Sequence, residues 1–228
     1  MDKREKVVVA LQNKQFLKVI AGINNFDLAK VKEISSAANL SGATAIDICA
    51  DEEIIENIVA LSNQTAVCVS SIEPKELRRA EELGAEILEL GNFEALHEQG
   101  VFPSAEEVLA MTREILAARK TALVSITVPG HLELVEQIKL AQDLEALGVD
   151  MIQTEGKETL ANTAEFAKVL SKTFIMTASG IKPETTKDAI AAGAHGIGVG
   201  KFVSSSEDKV KAINLLTSEL NIASVVSV

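Results

Sequence analysis

The sequence predicts a single-domain (β/α)8 TIM barrel with an extra N-terminal helix, spanning residues 1–228. Three observations predict it. Short apolar runs alternate with amphipathic stretches from end to end. Gly84, Gly148 and Gly193 each stand where an amphipathic stretch gives way to Ala or Val and a new apolar run, as a left-handed helix stop would. The last two apolar runs both close on glycine, at Ser179-Gly180-Ile181 and at Gly200-Lys201. A repeated β-α unit implies parallel pairing with right-handed crossovers, and eight units close into a ring. An open doubly wound sheet is disfavoured, because no Gly-x-Gly-x-x-Gly follows the first run.

Taken in order, a helix near Arg4–Asn13 precedes the first strand and is placed to cover the lower mouth of the barrel. The strands fall at Leu17–Ala21, Ala43–Cys49, Thr65–Ser70, Ala85–Leu90, Thr121–Val128, Val149–Thr154, Thr173–Ala178 and Ala194–Val199. Each is rich in Val, Ile, Leu or Ala and too short for a buried helix. The intervening helices fall near Asp27–Asn39, Asp51–Leu61, Pro74–Leu83, Ser104–Arg119, Leu132–Leu147, Lys157–Leu170, Pro183–Ala192 and Ser206–Leu220. Asp27, Asp51, Ser104 and Ser206 have the side-chain oxygen an N-cap needs, and Pro74 and Pro183 suit a first turn.

Composition narrows the function. The net charge is −11 with no basic run, which argues against nucleic acid or an anionic membrane as a partner. Seven Phe and no Trp or Tyr leave little for a base-stacking surface. Cys49 and Cys68 lie inside apolar runs without metal-ligand spacing and read as reduced core residues. Met1 to Leu11 lacks the apolar stretch of a signal or membrane span.

Inward polar residues on barrel strands are costly unless used or paired. Asp47 stands between Ile46 and Ile48, and Glu89 between Leu88 and Leu90. Ser125 and Thr127 alternate with apolar neighbours, and Gln153 and Glu155 share one parity on either side of Thr154. Two carboxylates at one mouth push their pKa values apart, so Asp47 and Glu89 are the catalytic candidates; capping of a core layer explains them equally well. Asn24, Asn25, Ser125, Thr127, Gln153 and Glu155 are candidates for holding the substrate, with turn formation the alternative for the two asparagines. Ser179, Gly180, Ile181, Gly200 and Lys201 are the phosphate-binding candidates, because the loops after strands 7 and 8 of such barrels commonly bind phosphate. No lysine sits on strands 5, 6 or 7, where a Schiff-base aldolase would want one. His97, His131 and His195 are dispersed, so no metal site is expected; His131 alone could lean into the mouth, and it is better read as a residue at the start of the helix after strand 5.

Several segments resemble an uncharacterised family of cyanobacteria and algal plastids, known by a plastid open-reading-frame name and a domain-of-unknown-function label. They are Ile20–Asp27, Asp47–Asp51, Glu89–Phe93, Ser125–Pro129, Ile152–Gly156, Ala178–Ile181 and Gly196–Gly200. The resemblance implies an aldolase-type barrel without an assigned reaction, in the cytoplasm of a cyanobacterium or the stroma of a plastid. Two departures are expected to matter: a short loop after Gly156, and Lys201 where glycine-ended phosphate loops usually carry a small residue. The leading expectation is a lyase or isomerase acting on a small phosphorylated metabolite, with no cofactor. One alternative has the same loops grip flavin mononucleotide (FMN) in an oxidoreductase. Another is a non-catalytic metabolite-binding barrel. The oligomeric state stays open, a homodimer among the options.

Overall fold

In the computed structural model, which describes residues 1–226, eight parallel strands pair in sequence order and close into a barrel. They are β1 (Phe16–Gly22), β2 (Ala45–Cys49), β3 (Ala66–Ser71), β4 (Ile87–Leu90), β5 (Leu123–Val128), β6 (Met151–Thr154), β7 (Phe174–Thr177) and β8 (Gly196–Val199). Each overlaps the run expected for it, with ends that differ by a few residues. The helices are α1 (Lys3–Gln12), α2 (Leu28–Leu40), α3 (Glu52–Leu61), α4 (Pro74–Glu82), α5 (Ala105–Ala118), α6 (Leu134–Leu147), α7 (Thr159–Val169), α8 (Pro183–Ala191), α9 (Lys201–Ser204) and α10 (Lys209–Val226). A 3-10 helix, Phe93–Gln99, follows β4.

Local chemistry explains the helix starts. Asp27 accepts from the amides of Ala29 and Lys30, Asp51 from that of Ile54, and Ser104 forms a reciprocal capping box with Glu107. Ser206 does not start the last helix. Its hydroxyl donates to the Asp208 carbonyl, and the Asp208 carboxylate accepts from the Lys211 amide, so α10 begins at Lys209, three residues beyond the expected cap.

The core has two parts. Between barrel and helices, apolar outward faces such as Ile46, Val67, Ile126 and Ile152 pack on Ile55, Leu77, Leu144 and Phe166. Inside the lower barrel, Phe16, Ala45, Ala66, Ile87, Met151 and Met176 form a plug, and Val7 and Leu11 of α1 close it from below. The expected lower lid is therefore present. His195 stands at that end of β8, where its Nδ1 accepts from the Ile175 amide at 3.0 Å.

Ring closure brings Phe16 of β1 opposite Gly196 of β8. A Cβ on Gly196 would meet the Phe16 carbonyl oxygen at 2.5 Å and its Cβ at 2.6 Å. Only glycine fits the seam without a backbone shift. Gly196→Ala is expected to destabilise the fold by about 2 kcal/mol or more through overpacking. Denaturant melts read this directly; a loss within error of zero would show that the seam is not close-packed.

Candidate active site

The inward-facing positions of the strands build a buried polar network above the apolar plug. Its base is Lys18 of β1, whose Nζ lies 2.8 Å from Glu89 Oε2; both side chains are essentially inaccessible. Burial alone would lower the lysine pKa, but facing Glu89 and Asp47 outweighs it, and the ammonium is held above its ordinary value. The Thr127 hydroxyl donates to Glu89 Oε1 at 2.8 Å. Asp47, fully buried, accepts from the Ser70 hydroxyl and, at 3.4 Å, from Asn92 Nδ2. Burial raises the Asp47 pKa, with the neighbouring Glu89 charge adding to the rise. Cys68 stands beside them as a buried free thiol, also pushed up by burial.

Above this network lies an open cavity of about 580 Å³. The stretches Ser179–Lys182 after β7 and Gly200–Phe202 after β8 line one side of it, so the structure brings the two glycine-ended loops together at one space. Asn92, Glu94 and Ala95, at the start of the 3-10 helix, line it too, with Ile20, Gln153 and Gly198 from the strands and Glu155 just beyond β6. Ser179 (φ 67°) and Gly180 (φ 72°) are consecutive left-handed residues. A Cβ added to Gly180 would meet nothing within 4 Å, so its main chain is open to the cavity. The Ser179 hydroxyl donates to Glu94 Oε2 at 3.1 Å and accepts from the Gly156 amide at 3.2 Å. Lys182 and Lys201 are exposed at the edge of the cavity, and neither is in an ion pair among the described residues.

Glu155 is the ionisable group that the cavity wall buries. It is 4% exposed, and its two oxygens accept from the amides of Glu94 and Gly130, each at 3.2 Å. Burial pushes its pKa up to about 7 despite those amides, with the Glu94 and Glu89 charges adding to the rise. It also borders a neighbouring cavity of about 530 Å³ that His97 and His131 line. His131 therefore shares this space with His97 rather than standing there alone. Its ring sits edge-on to His97 at 5.6 Å and to Phe102 at 5.4 Å, and burial lowers its pKa.

The other expected residues lie elsewhere. Asp47 and Glu89 do not line the cavity. Register explains why: Glu89 is level with Ser125, and Ser125 with Met151, whereas Thr127 is level with Gln153, one inward step higher. Ser125 is buried with an unpartnered hydroxyl, and Thr127 belongs to the network. Asn25 folds onto its own turn, donating to the Ala21 carbonyl and accepting from the Asp27 amide. Asn24 ties that turn to the 3-10 helix by donating to the Ala95 carbonyl at 3.0 Å. Sequence reasoning misses Lys18, Glu94 and Lys182. The signal for Lys18 is present: a lysine between Leu17 and Val19 in a strand has to be paired.

Two outcomes are expected from these charges. Lys18→Ala leaves Glu89 buried without its partner and is expected to cost about 3–5 kcal/mol, whereas Lys18→Met with Glu89→Gln, which keeps an acceptor for Thr127, recovers most of that loss. Equal losses in urea melts would contradict a paired charge. For Glu155, the folded pKa lies above the ordinary value of 4.5, so the folded chain holds this proton more tightly than the unfolded chain does. That contribution is full below about pH 4.5 and is lost as pH rises through about 7. The stability of the wild type relative to Glu155→Gln should fall by about 3 kcal/mol between about pH 4 and pH 8. A pH-independent difference would contradict it.

Comparison with known proteins places this geometry in a family. The model of the family described as "Protein of unknown function (DUF561)" matches residues 1–227. A protein of Porphyra purpurea called "Uncharacterized protein ycf23" is 35% identical over 209 residues, covering 84% of this chain and 78% of its own. Among solved structures, 3-hexulose-6-phosphate synthase from Salmonella typhimurium superposes with a TM-score of 0.74 at 16% identity, over 91% of this chain and 99% of that one. Thiamine phosphate pyrophosphorylase from Pyrococcus furiosus superposes with a TM-score of 0.66 at 20% identity, over 93% and 98%. At these identities the structural likeness shows the fold alone. No helix among the described residues is long and apolar enough to cross a membrane. The match along nearly the whole length of the sequence makes the chain a member of the DUF561 family.

Proposed function

We propose that the protein is an enzyme of the lyase or isomerase class that acts on a small phosphorylated metabolite. The observation that carries this reading is the meeting of both glycine-ended loops at one cavity whose wall also holds Glu155, with its pKa near 7. The phosphate group sits against Ser179, Gly180 and Ile181 on one loop and Gly200 and Lys201 on the other, where main-chain donors can approach an anion closely. Lys182 and Lys201 supply positive charge at the rim. The names of the two structural neighbours, 3-hexulose-6-phosphate synthase and thiamine phosphate pyrophosphorylase, agree with a phosphorylated ligand in this fold.

Glu155 carries the proton transfer. A carboxyl group that titrates near neutral pH is suited to take a proton from a carbon next to a carbonyl and return it to the neighbouring atom. That movement is an isomerisation; if Glu155 instead takes the proton of a hydroxyl β to the carbonyl, the carbon–carbon bond breaks to an aldehyde and an enediolate, the same group returns the proton to the enediolate carbon, and the reaction is a lyase. Asp47 and Glu89 act one layer below, by holding Asn92, Thr127 and Gln153 in place.

Gly180→Asp puts a carboxylate where the phosphate would lie. It is expected to abolish the thermal stabilisation that phosphate esters give the wild type, while the circular dichroism spectrum stays native. Stabilisation that survives the substitution would refute the assigned phosphate position. Wild-type protein stabilised by FMN and by no phosphorylated metabolite would refute the lyase or isomerase assignment.

A further inference from the structure

We propose that Gln153 determines specificity by presenting a bare carboxamide oxygen to the ligand, so that the substrate is a phosphate ester whose carbon chain carries a hydroxyl group where it passes Gly198. The proposal rests on the phosphate-ester reading above.

The buried carboxylates accept hydrogen bonds and donate none when ionised. The Thr127 hydroxyl proton is committed to Glu89 Oε1 at 2.8 Å, so Thr127 Oγ1 is left to accept. It does so from the Asn92 amide at 3.2 Å and from Gln153 Nε2 at 3.0 Å. Asn92 is oriented in the same way from the other side. Its Nδ2 donates to Ser70 Oγ at 2.8 Å and towards Asp47 Oδ2 at 3.4 Å, which leaves Asn92 Oδ1 as an acceptor. Gln153 Nε2 donates to that oxygen at 3.0 Å. Both amide protons of Gln153 are therefore used. Turning the carboxamide over would set its oxygen against Asn92 Oδ1 and Thr127 Oγ1, two acceptors without a proton to share.

The consequence is an orphan. Gln153 is 1% exposed, and its Oε1 has no hydrogen-bond partner. Buried acceptors are seldom left so, and one at a cavity wall calls for a donor from the ligand. The way in is Gly198, which lines the same cavity. A Cβ there would lie 3.3 Å from Gln153 Oε1 and 3.1 Å from both Ala178 Cβ and Ile20 Cδ1, so any larger residue would fill the approach. A ligand hydroxyl can donate to this oxygen; an alkyl chain of the same length cannot, and leaves the acceptor buried and unpaired.

Isothermal titration of wild type, Gln153→Met and Gly198→Ala with three probes tests the idea. The probes are inorganic phosphate, n-pentyl phosphate and the tightest-binding of the ribitol, xylitol and arabinitol 5-phosphates. The wild type is expected to bind the pentitol ester about a hundredfold more tightly than the pentyl ester, and Gln153→Met to reduce that preference to within about threefold. Gly198→Ala, which deletes no hydrogen bond, should reduce the preference in the same direction and decides the matter if Gln153→Met fails to fold. Equal wild-type affinity for the two esters, or a preference that survives both substitutions, would overturn the hydroxyl assignment alone. Failure of the wild type to bind any of the three probes would overturn the phosphate reading, and this proposal with it.

Discussion

The ion pair between Lys18 and Glu89 is the constraint around which the upper barrel is arranged. A lysine sealed inside a closed ring of strands has no water to solvate it, so it needs an anion within hydrogen-bond reach. Glu89 supplies one, and Asp47 adds a second carboxylate, whose pKa burial raises. Two buried carboxylates require donors from the surrounding strands, and Thr127, Ser70 and Asn92 provide them. The donors thus face down into the network. What remains facing up is acceptor surface, most plainly the oxygen of Gln153. Groups that never line the cavity in this way set its chemistry.

The other half of the site is defined by missing side chains. Alternate positions Gly196, Gly198 and Gly200 put no Cβ on the inner side of β8. Low in the barrel Phe16 fills the space against Gly196. Higher up the space stays open, and it becomes the cavity between the β7 and β8 loops. A neutral-range carboxyl group, an orphan acceptor and two glycine-ended loops then converge without any one element supplying all three.

Much of the architecture was legible because period and punctuation agree: short β-rich runs, amphipathic stretches and glycine stops repeat in one order. Strand parity also identified the inward residues on β2, β4, β5 and β6. Depth along the barrel was not legible. Parity cannot say whether Asp47 or Gln153 meets the cavity, because that depends on the stagger between strands, and the observed register puts Glu89 one inward step below Gln153. Lys18 escapes notice because the run Phe16-Leu17-Lys18-Val19-Ile20 reads as apolar overall, although its single charge is the residue the network needs most. The 3-10 helix Phe93–Gln99 has too few turns to leave a helical period, so Glu94, which accepts from the Ser179 hydroxyl, had no signal.

A charged, water-excluded network orients the residues beneath the cavity. Side-chain nitrogen NMR on uniformly labelled protein tests it most directly. The account predicts that Lys18 Nζ stays protonated from about pH 5 to about pH 10, in contact with Glu89, and that both Gln153 Nε2 protons exchange slowly with solvent. A Lys18 resonance that titrates within that range, or Gln153 protons that exchange as fast as those of exposed glutamines, would contradict it.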